Sequence, residues 1–199
     1  MIKLVKEIPY RINEKAFWGL LGYREGRTEI SRDMLRKVEE AIKKGREAVR
    51  PMGLYGLFPI EEVTAREVKF QGKTVRSRKL AQHCRGFSHL YLMAVTIGEE
   101  FDALLRRVSL EEAVILDAYG SEAVEAVAES LNRAIEREGV HFNLFRFNWR
   151  FSPGYGDLPL EVNLLFQELL KMDRIGIKVS ERFSLIPSKS ITAIIPAGG

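Results

Sequence analysis

Apolar residues along this chain fall into two kinds of spacing. Met34, Leu35, Val38, Ala41, Ile42 and Val49 recur at helical intervals, behind a capping Ser31 and ahead of a terminating Pro51. Asn13 to Leu21 reads as a shorter helix with Gly22 as its stop. Ser109 opens a capping box with Glu112, and Val114, Leu116, Ala123, Val127, Leu131 and Ile135 carry the stripe of a long helix to about Glu138. Gly120 interrupts that helix and marks a close approach of another segment. Val162, Leu165, Phe166, Leu169 and Leu170 give a further helix, Pro159 to Met172, for which Asp157 is the expected N-cap.

Between these helices the pattern turns to strands. His89 to Ile97 is a continuous run of large apolar and β-branched residues. Leu54 to Ile60 is also apolar, but it contains Pro59, which predicts an edge strand or an extended segment. Glu67 to Phe70 and Thr74 to Arg76 flank Gln71-Gly72-Lys73 as a hairpin, followed by a short helix over Ser77 to Cys84. Ile177 to Val179 and Ser190 to Ile195 complete the strands. Helices and strands do not alternate strictly, and no phosphate-binding glycine motif follows a strand. The pattern therefore predicts an α+β fold, a twisted, mostly antiparallel sheet with packed helices. Residues 1–199 read as a single domain, with 1–51 as a possible N-terminal helical subregion.

Composition adds bounds. A chain of 199 residues that is 46% hydrophobic can bury a substantial core. No apolar run reaches the ~18 residues of a membrane span, and Met1 to Tyr10 lacks the core of a signal peptide. The single cysteine, Cys84, fits a reducing cytoplasm and reads as a small buried hydrophobe. His83, His89 and His141 lack metal-ligand spacing and read as structural or surface residues, so neither a metal site nor a catalytic residue is assigned. Charge is uneven. Residues 1–100 hold 20 Lys and Arg against 13 Asp and Glu, whereas 101–199 hold 11 against 14. A basic first half admits nucleic acid or an acidic protein as a partner. The interspersed acids favour an ordinary solvated surface, which makes nucleic acid the weaker reading.

The segment richest in chemistry is Arg150-Phe151-Ser152-Pro153-Gly154-Tyr155-Gly156-Asp157-Leu158-Pro159-Leu160. Its glycines let backbone approach a ligand, and its prolines fix the turn. Tyr155 can stack or donate a hydrogen bond, and Arg150 can grip a carboxylate through parallel hydrogen bonds. An ordinary loop with Arg150 in a surface ion pair fits the same residues.

This segment resembles the Arg-x-x-x-Gly-Tyr signature of the activation domain of cobalamin-dependent methionine synthases. Tyr55 to Ile60 resembles the family's early Gly-Leu-aromatic-Pro strand. Ile175 to Glu181 and Ile186 to Thr192 resemble its closing region. The resemblance implies a C-shaped α+β domain with a shallow S-adenosylmethionine site. In it Arg150 would bind the methionine carboxylate. Backbone at Ser152, Gly154 and Tyr155 would frame the nucleoside, and Glu125 would meet the ligand's cationic end. Asn13 stands where the family has an acidic ligand residue before an aromatic pair, here Phe17-Trp18; Glu14 is a possible substitute. The chain ends at Gly199 without a counterpart of a later family tyrosine, and the Asp-x-His-x-x-Gly pattern that ligates cobalamin is absent.

The resemblance further implies an accessory role in trans. S-adenosylmethionine would serve the reductive remethylation of a cobalamin carried by a methionine synthase subunit, with a flavodoxin-like or ferredoxin-like electron donor. The alternative is a non-enzymatic binding protein of the same fold, with a degenerate ligand site or with nucleic acid bound through the basic half.

Overall fold

The computed structural model describes residues 1–24 and 26–199. In chain order the elements are β1 (Ile2–Lys6), α1 (Glu14–Leu20), α2 (Arg32–Ala48), β2 (Met52–Pro59), β3 (Glu62–Val63), β4 (Glu67–Phe70), β5 (Lys73–Arg76) and α3 (Arg78–Cys84). They continue as β6 (His89–Thr96), α4 (Glu99–Leu105), α5 (Leu110–Gly139), β7 (Arg146–Phe147), α6 (Val162–Leu170), β8 (Lys178–Val179), β9 (Leu185–Ile186) and β10 (Ser190–Gly198). Five strands form the main sheet in the order β1-β2-β6-β10-β7, and every neighbouring pair is antiparallel. The architecture is α+β, as the sequence pattern predicts.

The unbroken apolar run of β6 has a simple cause. Side chains on a strand alternate between faces. Tyr91, Met93 and Val95 enter one core with α1, α2 and α5. Leu90, Leu92 and Ala94 enter a second core with α3, α6 and the β4–β5 hairpin. A central strand covered on both faces has no polar side.

Most helix boundaries follow from local caps. Asn13 Oδ1 accepts from the Ala16 amide, Ser31 Oγ from Met34, Ser77 Oγ from Leu80 and Ser109 Oγ from Glu112. Only half of the Ser109 capping box forms, because the Glu112 carboxylate instead pairs with Lys44 of α2 at 2.7 Å. Lys37 likewise reaches Glu111 at 2.9 Å, so two of the basic residues of α2 join it to α5. At Gly120 a Cβ would lie 2.4 Å from the Phe101 ring, which accounts for the glycine within α5.

Besides α4 and the short strands β3, β7 and β9, which the sequence reading missed, three features differ from it. Residues Ile2–Lys6 form an edge strand that the short terminal pattern did not reveal. The segment around Pro59 is an interior strand, between β1 and β6, not an edge. It tolerates Pro59 because that residue is its last, opposite His89 at the end of β6. The third concerns Asp157 and is taken up below.

Candidate functional site

The Arg150 segment is positioned by the main sheet and by α3. The Phe151 and Ile194 backbones exchange two hydrogen bonds of 2.9 Å, which ties the segment to β10. His83 on α3 donates from Nε2 to the Trp149 carbonyl at 2.6 Å, and Asn148 Nδ2 donates back to the His83 carbonyl at 3.0 Å. The His83 ring also packs on Trp149 and Phe151. Burial pushes the His83 pKa down, against the opposing pull of the Trp149 carbonyl. This histidine holds the segment that leads from β7 to Arg150. Its neighbour Cys84 is fully buried with a thiol pushed up to about 12, so it carries no reactive thiolate.

The loop after Arg150 is rigid through its own bonds. The Gly154 amide donates to the Leu158 carbonyl at 2.8 Å, Tyr155 to Ser152 at 3.1 Å, and Leu158 to Tyr155 at 3.0 Å. Gly154 has φ of 92°, a left-handed conformation that only glycine adopts without strain. The amides of Gly154 and Tyr155 are thus engaged inside the loop.

Asp157 is not the N-cap of the following helix. That helix begins at Val162 behind Glu161, with no side-chain cap. Residues 160 and 161 form a turn ahead of it. The Asp157 carboxylate instead crosses to the N-terminus of α3. There it accepts from Ser77 Oγ at 2.6 Å and from the amides of Arg78 at 2.8 Å and Lys79 at 3.1 Å. These donors, Ser77 foremost, lower its pKa to about 2. A depressed carboxylate stabilises the fold above its unfolded pKa and loses that contribution as pH falls through the folded value. Asp157→Asn is therefore expected to lower the urea midpoint at pH 7, with the difference from the native chain closing between about pH 4 and pH 2. A constant difference across that range would show that Asp157 does not act through its charge.

Beside this loop lies an open groove of ≈380 Å³ lined by Glu125, Ser152, Pro153, Tyr155, Leu160, Asn163, Ser184, Leu185, Ser188, Ser190, Ile191 and Thr192. Its polar floor is tied together: Thr192 Oγ1 donates to Asn163 Oδ1 at 2.6 Å, and Asn163 Nδ2 to the Phe183 carbonyl at 2.8 Å. Arg150 does not line the groove but pairs with Glu125, which does. Its Nη2 lies 3.2 Å from Glu125 and 3.8 Å from Glu129 on α5. Both contacts use the same nitrogen, so among the described residues Nε and Nη1 make no hydrogen bond. The guanidinium is paired, yet keeps donors for a second carboxylate.

Five of the six residues singled out in the sequence come together here. Glu125, Ser152 and Tyr155 line the groove, Gly154 shapes its loop, and Arg150 bonds to Glu125. Asn13 does not line it. Its side chain instead caps α1. Glu14 lines a different cavity of ≈760 Å³ between α1, α2 and α5. That cavity holds Arg11 and Arg46 against Glu14 and Glu39, so its formal charge is balanced, and it contains none of the motif residues. Among the aromatics of the basic first half that could stack on bases, Tyr55, Phe58 and Phe70 are buried. Among the described residues no group of three or more metal-ligating side chains converges, and no helix is long and apolar enough to cross a membrane.

No family model matches the chain. In sequence it is similar to methionine synthase of Mycobacterium leprae (strain TN), 28% identical over 143 residues, which is 61% of this chain and 12% of that protein. The chain thus spans a small part of the length of its curated relative. In structure it is similar to the MetH reactivation domain bound to AdoHcy, with a TM-score of 0.72 and 18% identity over 99% of this chain and 78% of that one. The chain has the fold of that reactivation domain, as the signature around Arg150 implies.

Proposed function

We propose that this chain binds S-adenosylmethionine in the groove beside Arg150 and supports reductive remethylation of cobalamin on a methionine synthase subunit, acting in trans in the cytoplasm. The observation that carries this reading is one open groove lined by Glu125 and the 152–155 loop, with Arg150 paired to Glu125 beside it. It occurs in a fold shared with a domain crystallised with AdoHcy. Arg150 presents its free Nε and Nη1 to the ligand's carboxylate. Glu125, more than half exposed, offers its charge to the cationic end. Ser152 and Tyr155 frame the nucleoside, with the Tyr155 ring, 64% exposed, free to stack on it.

The work of these residues is to bind and aim the methyl donor; no general base is required. When a cobalamin-carrying partner is present, an electron from a flavodoxin-like or ferredoxin-like donor and a methyl group from S-adenosylmethionine return cob(II)alamin to methylcobalamin, leaving S-adenosylhomocysteine. An open groove suits a donor that must be offered to a second protein. Contact with that protein is expected to be transient and its interface modest.

The test combines the purified chain, a methionine synthase subunit in its cob(II)alamin form, a reductant and S-adenosylmethionine. Methylcobalamin is followed by absorption. Formation that depends on this chain supports the reading; equal rates with and without it overturn the role in trans. Calorimetry with S-adenosylmethionine alone tests the binding step, and absence of binding favours a degenerate site.

A further inference from the structure

The groove borders an open stretch of sheet edge. Main-chain groups of alternate residues on a strand face the same edge. On β10 the Ile194 amide and carbonyl both bond Phe151, the Pro196 carbonyl accepts from Asn148, and the Gly198 carbonyl accepts from Phe145. Thr192 and Ser190 continue that series, yet no strand lies beside them. β7 pairs only with Ala197 and Gly198, and the bridge to Phe151 stops at Ile194. Among the described residues the outward amides and carbonyls of Thr192 and Ser190 have no partner. Both residues line the groove. Their side chains anchor this edge from beneath, Thr192 Oγ1 on Asn163 at 2.6 Å and Ser190 Oγ on Thr96 at 3.0 Å. Unpaired main-chain groups on a residue as little exposed as Thr192, at 3%, are costly until a partner arrives.

We propose that this edge reads the adenine base of the ligand, with the Thr192 amide donating to a ring nitrogen and a carbonyl of the same edge accepting from the 6-amino group. The inference rests on the reading of the groove as an S-adenosylmethionine site and names the groups that recognise its base. Adenine carries an amino donor beside a ring-nitrogen acceptor, the complement of a carbonyl beside an amide. The 152–155 loop is poorly equipped for that task. Its Gly154 and Tyr155 amides and its Ser152 and Tyr155 carbonyls bond within the turn, and Pro153 has no amide. β10 holds an unengaged donor and acceptor on the same groove. A peptide strand suits this edge less well. Only two outward-facing residues are open between Ile194 and the start of β10 at Ser190, enough for one base but short for a ladder.

The test follows amide hydrogen exchange residue by residue by NMR in the native chain. In the free protein the Thr192 amide is expected to exchange much faster than those of Ile191 and Ala193, which face β6. Saturating S-adenosylhomocysteine should slow Thr192 at least tenfold. 5′-Methylthioadenosine, which keeps the base and lacks the amino-acid end, should do the same. A Thr192 amide unchanged by bound ligand overturns the edge reading and leaves the groove reading standing. So does a Thr192 amide as protected as Ala193 in the free chain, or one that gains protection with protein concentration, which would place a second copy on the edge. Failure of both ligands to bind overturns both readings. A pair of variants gives an independent check. Thr192→Val and Thr192→Pro both lose the hydroxyl, but only the proline loses the amide, at an edge position that tolerates it. Thr192→Pro is expected to bind S-adenosylhomocysteine roughly tenfold more weakly than Thr192→Val. Equal affinities would overturn the assignment to the Thr192 amide, and the exchange experiment decides the matter if the proline variant does not fold.

Discussion

Arg150→Ala is expected to weaken S-adenosylhomocysteine binding by ten- to a hundredfold. A hydrogen bond to a charged group contributes about 1.5–3 kcal/mol, and each ~1.4 kcal/mol is a factor of ten in affinity. The effect is specific to the amino-acid end of the ligand. A nucleoside thioether without that end, such as 5′-methylthioadenosine, should bind the native chain and the variant alike, since the 152–155 loop keeps its own hydrogen bonds. The variant should also fold normally. Arg150 is partly exposed, and the partners it leaves, Glu125 and Glu129, are about half exposed and can take up water. Calorimetry with the two ligands reads the outcome. Equal affinity of both proteins for S-adenosylhomocysteine would remove Arg150 from the site. Equal losses for both ligands would assign it a role in shaping the loop instead.

Phe166→Ala should cost about 3–5 kcal/mol of stability, the usual range for deleting a fully buried aromatic ring. Phe166 on α6 is 0% exposed and sits in the core on the α3 and α6 side of the sheet, with Leu54, Leu92, Leu170 and Ile194. Domains of this size are held by only about 5–15 kcal/mol, so the loss is a large part of the total. It also reaches the groove, because α6 carries Asn163, whose side chain bonds Thr192 and the Phe183 carbonyl beneath the ligand site. Leu164→Ala on the same helix, at a residue 49% exposed, is the control and should be close to neutral. Urea unfolding of the three proteins reads the difference. A loss below about 1 kcal/mol at Phe166 would mean that the core collapses around the gap, contrary to the tight packing described here.

Much of the fold was legible along the chain, because it rests on local physics. Ser31, Ser77 and Ser109 cap the helices they precede, since a capping hydroxyl reaches only the amides two or three residues ahead. Gly120 marked a close approach, and Phe101 makes it. The Arg150 signature located the groove loop, because a positive-φ glycine between prolines permits few conformations. Partnership between distant segments was not legible. Asp157 looked like the cap of the helix that follows it, yet it caps α3, about 80 residues earlier, since side-chain oxygens bond whichever orphan amides the tertiary fold brings near. Pro59 argued for an edge strand, but pairing on both sides of β2 depends on where β1 and β6 lie, and its terminal position spares the ladder. Glu122, Glu125 and Glu129 were three like charges on one helix until folding placed Arg150 beside two of them. The sequence by itself determined the longer helices, the central strands and the glycine-proline loop, because caps, turn residues and hydrophobic spacing act over a few bonds. Only the tertiary structure decided which charges pair and which helix Asp157 serves, because those outcomes depend on distances between segments far apart in the chain.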